Sequence, residues 1–238
     1  MEYYYTPASN IDLQNDKLIL GDFEYKHIVK VLRKKAGDMI KITDGLRNIF
    51  DCKIVKVSGD SVVCEILEKN YNLYEPEINL KLFIAPLRNN SRFEFAIEKA
   101  VELGVNSIHP VITEFTINKS SFSKTKLDRI TKIIISAMGQ SQRCYLPGFE
   151  NVILFDDMLK STKDSPNKIL MYEYADKDKK SSIDKSKKDI SLLIGPEGGF
   201  SKKEIDVLVN NKWQIHSLGE RKIRAETAAI VSIFELLK

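Results

Sequence analysis

Cysteine is scarce, with three in 238 residues, at Cys52, Cys64 and Cys144. They are too few and too scattered for a disulfide framework or a Cys-x-x-Cys metal site, so a reducing, cytoplasmic setting is expected. Histidine is equally sparse, at His27, His109 and His216, and none stands near another with metal-ligand spacing. No metal is expected. No apolar run approaches the ~20 residues that span a bilayer, and Met1-Glu2 opens into a tyrosine run without the basic start of a leader. Neither membrane insertion nor secretion is expected. An excess of one charge is missing too, since 37 Lys and Arg against 33 Asp and Glu leave +4, so a polyanion must bind through local patches. With 7 prolines, 43% hydrophobic and 29% charged residues, the composition excludes a disordered or fibrous chain. The length suits one large or two small domains.

The first seventy residues read as short strands at 17–20, 38–42, 48–57 and 61–67, separated by Gly21, Asp44-Gly45 and Gly59-Asp60. That rhythm predicts a small β-barrel over 1–70. Between the strands, residues 27–35 put Ile28, Val31 and Leu32 on one helical face and Lys30, Arg33, Lys34 and Lys35 on the rest, which predicts a short basic helix. Residues 71–79, polar with Pro76, read as a linker. From Leu80 onward strand-like and helical runs alternate, the α/β signature, so 80–238 is a second domain. Strands are predicted at 80–85, 107–112, 169–174, 190–194 and 213–218. Helices are predicted at 93–103, 124–137, 155–161, 202–209 and 227–237. The first of these follows the apolar stripe Phe93, Ala96, Ile97, Ala100 and Val101 to a stop at Gly104. Residues 176–189 carry six lysines and four aspartates and read as a solvated loop. The last helix is apolar on nearly all sides, which requires partners nearly all round, either in its own domain or partly on a second subunit.

Two loops carry the chemistry. Residues Ile194-Gly-Pro-Glu-Gly-Gly-Phe200 follow a buried strand, and Ser201 and Glu204 then have capping-box spacing with a Phe200–Ile205 staple. Three glycines let main-chain groups approach a ligand at the carboxyl end of a sheet; an ordinary tight connection is the plain alternative. The pattern fits neither a dinucleotide fingerprint nor a phosphate loop. The second loop, Leu218-Gly219-Glu220-Arg221-Lys222-Ile223-Arg224-Ala225-Glu226-Thr227-Ala228, also joins a strand to a helix. Glu226 falls in the first helical turn, where its charge complements the dipole. Read alone, it equally fits an ion-paired loop before a capped helix.

Together and in this order, these loops resemble the bacterial 16S ribosomal RNA uridine-N3 methyltransferase family of the SPOUT superfamily. Further family-like segments are His27-Ile-x-x-Val-Leu-Arg33 with Gly37-Asp38 and Asp44-Gly45, Arg92-x-Glu94 through Lys99 to Glu102-Leu-Gly104, and Gln140-Ser-x-Arg143 with Pro147. The resemblance covers nearly the whole chain. It implies a PUA-like barrel joined to an α/β domain with a trefoil knot, acting as a homodimer on 16S ribosomal RNA or the small ribosomal subunit. It implies S-adenosylmethionine held by Leu170, Met171, Tyr172 and Glu173, by Ile194, Gly195, Pro196, Glu197, Gly198 and Gly199, and by Leu218, Gly219, Ile223, Arg224, Thr227 and Ala228. Three positions depart from the family pattern: Arg92 stands for a frequent Lys, Gly139 for a frequent Glu, and Ala225 for a frequent Thr.

For N3 methylation, Arg224 or Arg221 would meet the negative charge that spreads onto uracil O2 and O4, with Arg143 and Arg92 as contributors. Glu197, Glu226 and bulk water are all candidates for the base. The RNA footprint is expected over Lys26, Lys30, Arg33, Lys34 and Lys35, with Asn89, Asn90 and Arg92 nearer the target base. Glu94, Glu98 and Glu102 read as a solvated or cross-paired stripe, and Tyr3, Tyr4 and Tyr5 either stack bases or cover a barrel end. Methylation of a ribose 2′-hydroxyl or another base, or a non-catalytic RNA-binding assembly factor, are the competing readings.

Overall fold

A computed structural model describes residues 2–184 and 186–238, without the side chain of Asp22. Met1 of the leader reading and Lys185 of the charged loop lie outside the described residues. The chain divides into two compact units, one formed by 1–75 and 135–146 and the other by 76–134 and 147–238.

The first unit holds β1 (Tyr3–Tyr5), β2 (Ile11–Asp12), β3 (Lys17–Leu20), β4 (Met39–Thr43), β5 (Asn48–Ser58) and β6 (Ser61–Tyr71) in the order β1-β4-β5-β6-β3-β2. All neighbours are antiparallel except β1 and β4. Period-2 alternation places Leu18 and Leu20, Ile40 and Ile42, Phe50, Cys52 and Ile54, and Val62 and Cys64 in one apolar core. Each large side chain buried there contributes roughly 1.5–3 kcal/mol. The cysteines act as small apolar groups, and burial pushes the Cys64 thiol up to about 12. The tyrosine run is a strand, with Tyr3 and Tyr4 buried, which answers the two readings of that segment in favour of packing.

The predicted basic helix is displaced and has a different pitch. A short helix α1 (Asp22–Tyr25) runs into a π-helical stretch, Lys26–Val31, in which the Leu32 amide donates to the His27 carbonyl five residues back. The wider turn rotates the predicted face apart: Ile28 is buried, while Val31 is 68% and Leu32 42% exposed.

The segment predicted as a linker contains a buried anchor. Glu75 accepts from the Arg143 guanidinium at 2.8 and 3.2 Å and from the main-chain amides of Cys144 and Tyr145 at 2.8 and 2.9 Å. Residues 135–146, which the sequence boundaries assign to the second domain, count with the first unit. Gly139 has a reason to be there. A Cβ on it would lie well inside contact distance of the Tyr3 carbonyl oxygen, so the glutamate frequent in the family has no room in this packing.

The second unit holds a seven-stranded parallel sheet of β7 (Asn79–Ile84), β8 (Ser107–Ile112), β9 (Gly148–Phe149), β10 (Ile153–Leu154), β11 (Asn167–Met171), β12 (Asp189–Ile194) and β13 (Gln214–His216). Its order is β10-β8-β7-β12-β11-β13, with β9 also on β8. Parallel strands are covered on both faces, and β11 and β12 are accordingly almost wholly buried. Helices α4 (Phe155–Ser161) and α5 (Lys202–Asn210) bring Met158, Ile205 and Leu208 to Phe83, Val111, Leu170 and Leu193. Helices α2 (Asn90–Leu103) and α6 (Ala225–Leu237) pack on each other, and α6 lies against β7 and β12. The stripe predicted for α2 is buried at every position named. Helix α3 (Lys124–Gln140) belongs to this unit up to Ile134. The acidic stripe on α2 is cross-paired, with Glu94 on Arg129 and Lys99 between Glu98 and Glu102.

Candidate functional site

The carboxyl ends of β11, β12 and β13 open into one cavity of about 350 Å³. After β12 and β13 the chain continues through glycine-bearing loops that lead into helix caps. After β12, Pro196 to Gly199 forms a turn closed by the Gly199 amide on the Pro196 carbonyl at 2.9 Å. The capping box of Ser201 and Glu204 then starts α5. Gly195 is required by a close approach, since a Cβ on it would lie 2.7 Å from the Phe200 ring. After β13, residues 217–224 are neither strand nor helix, and Arg224 is the N-cap residue of α6.

Most residues expected to hold the cofactor come together. Met171, Tyr172 and Glu173, then Ile194, Gly195, Pro196, Glu197 and Gly199, then Leu218, Gly219, Ile223, Arg224 and Ala228 all line this cavity. Three do not. Leu170 is fully buried among core residues of the sheet face, because strand alternation turns it away from its neighbour Met171. Gly198 faces outward against Phe115, and Thr227 is exposed on α6 one position before the residue that lines the wall. The sequence reading missed Phe200, His216, Lys222 and Ala225 as lining residues. The staple position of Phe200 was the available signal.

Charge is distributed unevenly round the cavity. Arg92, Arg221, Lys222 and Arg224 line it against Glu173 and Glu197. Lys222 pairs with Glu173 at 3.3 Å, and Arg92 approaches Glu226 at 3.7 Å. Among the described residues no carboxylate pairs with Arg221 or Arg224. The two carboxylates named as bases each have a partner in the protein, because Glu197 also accepts from the Arg88 amide at 3.0 Å. His216, 7% exposed, is held below its ordinary pKa by burial and by the nearby Lys180 ammonium. The Ser181 amide donates to its Nδ1 at 3.2 Å, and Ser182 is bonded to Gln214. The charged loop is therefore tied to β13 at these points rather than freely solvated.

The RNA-facing candidates divide. Lys26, Lys30, Arg33 and Lys35 are exposed and Lys34 half-buried on the first unit. Asn89 spends its side-chain oxygen capping α2, and Asn90 accepts from Lys126 at 2.8 Å. Arg143 is 3% exposed, and its guanidinium is held on Glu75. Among the described residues there is no group of three or more potential metal ligands, and no helix is long and apolar enough to cross a membrane.

Residues 74–236 match the family described as RNA methyltransferase domain, and residues 15–67 the one described as RNA methyltransferase PUA domain. The chain is 34% identical to the ribosomal RNA small subunit methyltransferase E of Mesomycoplasma hyopneumoniae, over 94% of this chain and 96% of that one. It is 30% identical to the protein of that name from Rickettsia conorii, over 94% and 90%. A crystal structure of the Neisseria gonorrhoeae protein of the same name, bound to S-adenosylmethionine, superposes with a TM-score of 0.89 at 28% identity, covering 99% of this chain and 96% of that one.

Proposed function

The chain belongs to the ribosomal RNA small subunit methyltransferase E family, and from that premise we propose that it transfers a methyl group from S-adenosylmethionine to N3 of a uridine in 16S ribosomal RNA. The observation that carries this reading is the cavity in which both glycine-bearing loops meet under a rim where, among the described residues, Arg221 and Arg224 have no carboxylate partner. The cavity fits the cofactor. Its volume lies in the range of roughly 300–1,000 Å³ usual for small-molecule sites, and Met171, Ile194, Leu218, Ile223 and Ala228 give apolar walls for a purine. Loops 194–200 and 217–224 bring main-chain groups that can orient it, and Glu173 offers a carboxylate to a cation. S-adenosylmethionine, when bound, supplies an electrophilic methyl group on a positively charged sulfur.

The chain's own part is positioning and charge. Holding N3 in line with the methyl group removes most of the entropic barrier to an in-line displacement. Uracil N3 attacks only after its imide proton has left, and the negative charge then lies on O2 and O4. Arg224 and Arg221, free of carboxylate partners, meet those oxygens. Arg92 adds a third charge, held by Glu226. These cations favour the ionised imide and so ease the loss of its proton.

The exposed basic segment Lys26 to Lys35 supports RNA binding through phosphates. Helix α6 leaves Val231 and Phe234, and α2 leaves Phe95, exposed at 37%, 56% and 45%. That apolar surface supports a homodimer. The family premise also carries a knotted chain in the second unit and work in the cytoplasm on the small ribosomal subunit.

Mass mapping of ribosomal RNA nucleosides from cells with and without the gene, followed by add-back of purified protein with labelled S-adenosylmethionine, tests the reading. One 3-methyluridine is expected to disappear and return. Loss of a different methylated nucleoside moves the acceptor to another atom, and no change at all leaves a non-catalytic assembly factor.

A further inference from the structure

Glu197 stands at the tip of the loop after β12, exposed to solvent and lining the cavity. Its Oε1 accepts from the main-chain amide of Arg88, which lies in the different loop between β7 and α2. The two loops leave adjacent parallel strands, and their main chains stay joined as far as the Ala85 amide on the Ile194 carbonyl at 3.0 Å. Beyond that point the Glu197–Arg88 bond joins them again. The next residue, Asn89, caps α2 by accepting from the amides of Ser91 and Arg92. Arg92 is thereby fixed in the first turn of α2, from which it lines the cavity and approaches Glu226 on α6. One carboxylate on the loop that faces the cofactor site thus sets the loop that carries Arg88 and leads into Arg92.

From this geometry we infer that Glu197 is a positioning residue: it clamps the 85–92 segment to the glycine loop, so that the cofactor-facing and RNA-facing loops move as one body. The inference rests on the proposed function for what the second loop faces, but the clamp itself is a property of the free protein. At 3.0 Å the amide-to-carboxylate bond is a single contact between two loops, and it needs only an accepting oxygen. A glutamine keeps the accepting oxygen without the charge; an alanine removes both. A general base at this position would give a different result, because glutamine cannot take a proton from an imide.

Amide hydrogen exchange over residues 86–92 in the unliganded protein, compared for wild type, E197Q and E197A, reads the clamp directly. Exchange is expected to quicken in E197A by about tenfold, the loss of the one hydrogen bond between the loops, and E197Q is expected to recover most of that protection. Steady-state assays on small subunits are expected to show the loss in E197A mainly as a KM for RNA raised about tenfold, with E197Q again recovering most of it and the pH profile of kcat keeping its shape. Equal exchange in all three proteins overturns the clamp. So does a kcat reduced about 10²–10⁴-fold in both variants with a changed pH profile, which identifies a base instead. Should the exchange pattern hold while even the wild type forms no 3-methyluridine, the functional reading fails and the clamp stands.

Discussion

Two groups of charge, one in each unit, serve opposite ends. In the first unit each oxygen of the Glu75 carboxylate is taken up, by the Arg143 guanidinium and by two main-chain amides. Asp44, 7% exposed, is likewise held by the amides of Leu46 and Asn48 and by the Asn48 side chain. In the second unit a group of charges lines an open cavity, with cations in excess and two arginines that, among the described residues, have no carboxylate partner. A saturated charge fixes a chain course, whereas an unsaturated one at a cavity is kept for a ligand. The contrast separates Arg143 from Arg224, which sequence motifs place in one class.

The largest effect expected is on the saturated side. Arg143→Ala leaves Glu75 buried without its cation, and the unfolding free energy measured by denaturant titration is expected to fall by about 3–5 kcal/mol. If Arg143 served RNA instead, stability would hold and RNA affinity alone would drop. On the unsaturated side Arg224→Ala is expected to lower kcat by about 10²–10³-fold and to leave the unfolding free energy within about 0.5 kcal/mol. A comparable loss of stability in both variants would erase the distinction between the units.

A smaller effect tests a half-buried carboxyl in the first unit that is poorly matched. Burial pushes the Glu24 carboxyl up to about 7; the bond it accepts from the Tyr5 amide opposes the shift, and neighbouring Glu2 adds to it. The folded state therefore holds a proton that the unfolded chain has released between about pH 4.5 and 7. Stability from this group is present below that window and is lost as the pH rises through it. Glu24→Gln, which keeps an oxygen for Tyr5, is expected to raise the melting temperature by about 2–4 °C at pH 8, with little change at pH 4.5. An equal gain at both pH values would contradict the assignment. Smallest is Lys30→Ala on the π-helical stretch, expected to reduce the salt slope of RNA binding by about 1 without altering the nucleoside formed.

Much of this was legible in the sequence because it depends on local period and punctuation. The strands β3 to β6 follow period-2 runs bounded by glycine and aspartate, β7 and β8 follow apolar runs, and the capping box at Ser201 announces α5 by itself. The glycine loop and the Arg221–Arg224 segment were readable as ligand loops. Their meeting in one cavity follows from β11 lying between β12 and β13, an order that no local pattern states. A 3.6-residue face does not hold across the wider π-helical turn, so Val31 is exposed where the helical period puts it inward. Leu170 was assigned to the cofactor wall with its neighbours, although strand alternation sends it to the other side. Glu75 was lost in a polar stretch because its partners lie 68 to 70 residues away. Tertiary partners of that separation leave no trace in periodicity.

That separation sets a timetable for synthesis. Residues 1–75 leave the ribosome long before Arg143, Cys144 and Tyr145, yet 135–146 belong to the same unit. Until roughly the first three-fifths of the chain has emerged, the Glu75 carboxylate has none of these final partners. A fragment ending at residue 75 is accordingly an unfinished module, and an N-terminal fragment that completes this unit must run through residue 146.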